Sequence, residues 1–151
     1  MGSPTISFVG RLLFSFLFLS SGAQKLQSFN LATGGPVMSL MAPKMDTFLG
    51  HIKDLTGFAV PLEKEHYVLL LGAAVFLEIV GGTLFLLNFD AGAIFLLLFT
   101  VSVTPVIHNW WDIKDQNAQL VELIMFFKNI ALIGALLFFL GRDRRRTARM
   151  T

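Results

Sequence analysis

Five ionisable side chains, Arg11, Lys25, Glu78, Glu122 and Lys128, fall inside stretches that are otherwise apolar, together with Thr104 and Asn129. The segment Met125-Phe126-Phe127-Lys128-Asn129-Ile130-Ala131-Leu132 poses the problem most sharply. A soluble core rarely buries an ammonium, and lipid tolerates one less. A carboxylate facing an ammonium out of water can compensate its charge, fix helix packing, or floor a pocket or proton route. The structural and the functional reading both stay open at this point. His51, His66 and His108 are the only imidazoles, and so the only weak candidates for a metal or haem site. No two have i, i+3 or i, i+4 spacing, so they read as interfacial polar residues and no metal site is expected. There is no cysteine, which excludes disulfides and thiolate chemistry. No nucleotide-binding loop, nucleophile elbow or metalloprotease helix is present, and no cofactor is predicted; quinone, lipid or haem stay open.

The elements that carry these residues follow from composition. Of 151 residues, 54% are hydrophobic and only 15% charged, against about 25% charged in ordinary globular domains. Sixteen phenylalanines and one tyrosine suit a lipid-facing chain, because phenylalanine needs no hydrogen-bond partner. A spanning helix takes roughly 20 apolar residues, and stretches at about 6–29, 67–88, 91–107 and 118–140 qualify. In lipid every backbone polar group must bond internally, so these are helices. The first has no small-residue cleavage pattern after it and reads as a retained span. The expectation is one all-α domain over 1–151, an integral membrane four-helix bundle.

The long connection between the first two spans carries Met45, Phe48, Leu49, Ile52 and Leu55 at helical spacing, with Lys53 and Asp54 between them. It predicts an additional amphipathic helix at about 44–56, lying on the membrane surface or capping the bundle, with Pro43 kinking it or starting it afresh. Trp110 and Trp111 lie in the third connection and are expected to anchor at headgroup level. The tail, residues 142–151, holds Arg142, Arg144, Arg145, Arg146 and Arg149, an interface anchor that places both termini on the cytosolic or matrix side. A basic run beside a membrane already has an electrostatic role, so no nucleic-acid partner is expected.

Each span has one face of polar or small residues. Arg11, Ser15, Gly22 and Lys25 share an arc of the first; Ala74, Glu78, Gly81 and Gly82 one of the second; Thr100, Thr104 and His108 one of the third. On the fourth, Lys128, Ala131 and Ala135 face one way, with Asn129 and Glu122 adjoining. These faces should meet at an intramembrane polar centre. Glu78 and Lys128 lie at equal depth on helices running the same way, each ~15–16 Å from the start of its span. They are the expected pair. Lys25 with Glu122 is the second, and Arg11 is expected to snorkel.

The first span from Arg11 through Ser15 and Gly22 to Lys25 resembles the opening helix of the DoxX-like superfamily. Ala74–Gly82, with Glu78 before paired glycines, is similar to that family's second helix, and Phe127-Lys128-Asn129 through Gly134 to its last. Ala42-Pro43-Lys44 in the long connection brings the chain closest to the plant and algal HR-like lesion-inducing membrane proteins. The resemblance covers nearly the whole chain and implies a four-helix membrane bundle, though little chemistry. Superfamily members include a quinone-reducing enzyme's small subunit, partners of redox enzymes and endoplasmic-reticulum cargo receptors. The expected function is a non-enzymatic scaffold or accessory subunit of a larger membrane complex. The alternatives are a membrane subunit of a quinone-linked redox complex, or an endoplasmic-reticulum cargo or chaperone receptor. The expected partners are the lipid bilayer and other membrane proteins. The expected location is the endoplasmic reticulum, another endomembrane or the mitochondrial inner membrane.

Overall fold

The computed structural model describes residues 3–142. Every regular element among them is helical: α1 (Pro4–Ser28), α2 (Pro36–Thr56), α3 (Lys64–Leu86), α4 (Asp90–Ile107) and α5 (Gln116–Gly141), with a 3-10 turn at Trp110–Asp112 before α5. α1, α3, α4 and α5 are long and apolar enough to cross a membrane. The expected all-α, four-helix membrane architecture is what the chain adopts. Proline at the start of α1 and α2 uses a position whose N–H has no helical partner. Asp115 caps α5 by accepting from the Ala118 amide at 2.8 Å.

The fourth spanning helix touches only part of the bundle. α3 packs on α1 and on α4, and α4 lies between α3 and α5. No Cα of α5 comes within 8 Å of one in α1 or α3. α2 crosses one end, and its Met45 is buried with Tyr67 and Val106 while Phe48 and Leu49 pack against them. It is one helix from Pro36, not a segment starting near residue 44, and Pro43 sits inside it without ending it. Lys53 and Asp54 are exposed as their pattern requires; Leu55 is exposed too, beyond Leu49, the last α2 residue in the apolar cluster.

Close approach depends on two glycines. A Cβ on Gly92 would lie 2.6 Å from the Leu84 carbonyl carbon and 2.7 Å from the Phe85 Cα, so the start of α4 touches the backbone of α3. A Cβ on Gly22 would meet Ile79 Cγ1 at 2.8 Å and Glu78 Cβ at 3.1 Å, so α1 approaches α3 at the level of the buried carboxylate. At the end of the bundle that holds the N-terminus, Phe14, Phe18, Phe85 and Phe139 form a continuous aromatic cluster. Phe14–Phe85 and Phe85–Phe139 ring centroids are 5.0 and 4.5 Å apart. Arg142 closes this end by donating to Asn88 Oδ1 at 3.0 Å while lying over the Phe139 ring.

Gly92→Ala should therefore lower thermal stability in detergent, by ~1–3 kcal/mol if the overpacking is typical of a well-packed core. Gly134→Ala, where the new Cβ meets nothing within 4 Å, should leave stability unchanged or slightly raised. Equal melting temperatures for the two variants would contradict the α3–α4 backbone contact.

Candidate functional site

The polar centre is built first from α1 and α3. Glu78, 1% exposed, accepts from Lys25 Nζ at 2.7 Å on both carboxylate oxygens and from Ser21 Oγ at 2.8 Å. Lys25 also donates to Ser21 Oγ at 2.8 Å and lies 5.5 Å from the centre of the Phe99 ring. Glu78 is thus satisfied by α1, through the approach that Gly22 allows.

A second cluster ties three elements together. Glu122 near the start of α5 accepts from Lys44 of α2 at 2.7 Å, and its other oxygen meets His108 Nδ1 at 2.6 Å. Lys44 also donates to the carbonyl of Ile107. That carbonyl is one of the last four of α4, which have no intrahelical partner. Between the clusters, Asn129 Nδ2 donates to Thr104 Oγ1 at 3.0 Å, a buried bond between α5 and α4. Thr100 and Thr104 bond back to carbonyls of their own helix.

The expected pairs are corrected here. Glu78 meets Lys25 rather than Lys128, because α3 packs directly on α1 and not on α5; equal depth did not make them neighbours. Glu122 meets Lys44 and His108 rather than Lys25. Lys128 is exposed, and its recorded contact is Met125 Sδ at 3.3 Å. The face of α5 with Lys128, Ala131 and Ala135 is exposed rather than buried; Asn129 and Leu136 are the buried positions. On the other three spans Ser15 and Gly22, Glu78 with Gly81 and Gly82, and Thr100 with Thr104 are buried as expected, while Arg11, Lys25, Ala74 and His108 are half-buried.

Arg11 lies at the aromatic end, with Nη1 donating to Ser7 Oγ at 3.3 Å and Nε buried without a partner. The histidines are dispersed. His51 meets Asp112 at 2.9 Å, His66 Nδ1 accepts from the Glu63 amide in a helix cap, and His108 belongs to the Glu122 cluster. No metal-binding group of three ligands occurs among the described residues. Trp110 and Trp111 sit at the α2 end, with the Trp111 ring 6.1 Å from that of Phe126. Arg144, Arg145 and Arg146 lie outside the described residues.

Where α1 and α5 stand apart, a cavity of about 710 Å³ opens. Leu17, Leu70, Leu77, Val103 and Leu132 supply apolar wall. Lys25, Glu78, Lys44, Glu122, His108, Lys128 and Asn129 supply the polar groups. Its size lies within the ~300–1,000 Å³ of small-molecule sites, and an apolar lining with a few placed polar groups is their usual chemistry. The sequence places Lys44 with the polar residues of the amphipathic helix and not in the polar centre. Met41, Lys44, Met45 and Phe48 share one face of an unbroken helix, and that spacing was the available signal.

Breaking a buried ion pair typically costs ~3–5 kcal/mol, whereas replacing both partners by apolar groups can be neutral. We predict that Lys25→Met, which leaves the Glu78 carboxylate buried with one hydroxyl, lowers stability more than Glu78→Leu, whose freed ammonium is a quarter exposed. The double variant should recover much of the loss in thermal denaturation. Lys128→Met combined with Glu78→Leu should be additive; coupling between those two would restore the rejected pair.

The model of the HR-like lesion-inducing family matches residues 3–142, nearly the whole chain and every helix described above. No curated protein and no solved structure matches the chain. With its four membrane-length helices and a match over residues 3–142, the chain belongs to the HR-like lesion-inducing family.

Proposed function

We propose that this protein is a non-enzymatic integral membrane accessory protein that holds a hydrophobic small molecule between α1 and α5. The observation that carries this reading is the cavity of about 710 Å³, apolar in its walls and lined by ion pairs that are already satisfied within the protein. Paired charges in such a place orient and select a guest and hold its surroundings fixed, which is what a binding protein needs. α5, attached to the bundle through α4 and the turn before it, exposes Val121, Ile124, Leu137 and Phe138, apolar surface suited to lipid or to a neighbouring membrane protein. A larger membrane complex is therefore the proposed setting.

The second reading is a quinone-holding redox subunit. The cavity supports it, because Lys44 and His108 could donate to a carbonyl oxygen, and the DoxX-like resemblance points the same way. Endoplasmic-reticulum cargo reception has no comparable feature behind it and is the least favoured.

Gentle extraction into nanodiscs followed by native mass spectrometry should find a small hydrophobic molecule retained by the wild-type protein. Ala74→Phe, which fills the cavity from α3, should lose it while keeping a cooperative thermal transition. A quinone spectrum in the retained molecule would move the assignment to the redox reading. An empty wild-type protein would overturn both.

Topology has its own test. The five arginines after Gly141 support placing both termini on the cytosolic or matrix side, with α2 on the other. A cysteine at exposed Ser39 should then react only with reagents reaching the face opposite a tag after Thr151. Labelling from the tag's own side would refute the four-span arrangement.

A further inference from the structure

The cavity's lysines and carboxylates do not balance. Lys25, Lys44 and Lys128 line it against Glu78 and Glu122, three amines to two carboxylates. Lys25 is held by Glu78 and Lys44 by Glu122, each at 2.7 Å. The third amine, Lys128, has no carboxylate within 4.0 Å among the described residues, and its recorded contact is the thioether of Met125. A thioether is a weak acceptor, while an ammonium carries three strong donors.

Depth makes this imbalance matter. Lys128 stands ~18 Å from the start of α5, a helix ~39 Å long, and with that helix centred in a ~30 Å hydrocarbon layer it is roughly 13 Å from one edge and 17 Å from the other. That is about twice the length of a lysine side chain, so snorkelling does not bring its amine to the headgroups. An intramembrane cation with no protein counter-charge, beside an apolar cavity, needs an anion that arrives with its own hydrocarbon.

We propose that the cavity binds a fatty-acid carboxylate, whose headgroup pairs with Lys128 and whose single acyl chain lies along the apolar wall. This rests on the reading of the cavity as a small-molecule site and adds the class of molecule. One negative charge completes the balance. An uncharged ligand, such as a quinone or a long-chain alcohol, leaves the ammonium uncompensated. A phosphodiester on two acyl chains keeps its headgroup at the interface, far from Lys128. The two existing pairs flank the site and already satisfy each other, so the incoming carboxylate finds one cation free to accept it.

The test uses the full chain in phosphatidylcholine nanodiscs with radiolabelled palmitate and hexadecanol, which share a chain length and differ in charge. Wild-type protein should bind palmitate at least tenfold more tightly than hexadecanol. Lys128→Met should lose that advantage with hexadecanol binding unchanged, and Lys128→Arg should keep it. Equal affinity for both probes in the wild type, or a palmitate preference that survives Lys128→Met, would overturn the proposal while leaving the cavity reading intact. Binding of neither probe, or of both undiminished in Ala74→Phe, would overturn the cavity reading itself.

Discussion

An ionised side chain in hydrocarbon has no water to solvate it, and for Glu78 and Glu122 the counter-charge comes from a neighbouring helix. In this bundle that pairing decides which helices meet and at what height. Glu78 is buried in the middle of α3, and the cation that answers it comes from Lys25, near the end of α1. Gly22, one turn earlier on α1, brings the two helices close enough for the lysine to reach. Such a pair contributes little net stability over an apolar replacement, but it penalises every register in which the charges fail to meet. The value of Lys25–Glu78 lies in fixing the axial position of α1 on α3.

Glu122 does the same at the end covered by α2. Its two oxygens meet Lys44 and His108, so one carboxylate on α5 holds both α2 and the end of α4. The Lys44 ammonium also takes up the Ile107 carbonyl, left without a helical donor where α4 ends. Apolar burial of Met45, Tyr67 and Val106 holds α2 against the bundle, while the ionic cluster decides where along the bundle it rests.

Spans and depths were legible in the sequence because each depends on one chain at a time: a run of apolar residues for length, the helical rise for height. Lateral order was not. Glu78 and Lys128 do lie at similar heights, but α3 and α5 each pack on α4 and not on each other, so the two line one cavity without meeting. That placement comes from complementary surfaces such as Gly92 against the backbone of α3, a relation no single helix reveals. Inward faces were legible on α1, α3 and α4, where small and hydroxyl residues mark close packing. On α5 the same signal misled, since with one helix as its main neighbour most of its surface stays exposed. Lys44 reads as one more polar residue of an amphipathic helix, because its partner Glu122 lies on α5 and no pattern within α2 points to that partner.

The split between an aromatic end and a polar end explains why there is a cavity at all. At the aromatic end, phenylalanines from α1, α3 and α5 meet ring to ring and fill the space between α5 and the packed pair α1 and α3. Toward α2 the groups that could fill the same space are charged, and each is drawn sideways to its partner: Lys25 to α3, Glu122 to α2 and α4. Pulled to the flanks, they leave Thr100, Ser102 and Val103 of α4 as the back wall of an opening between α1 and α5. The ion pairs thus stand as pillars on either side of a gap that their own geometry prevents them from filling. The charges that are hardest to place in a membrane are paired at the flanks of the site, and the space between them is left to apolar wall and to Lys128.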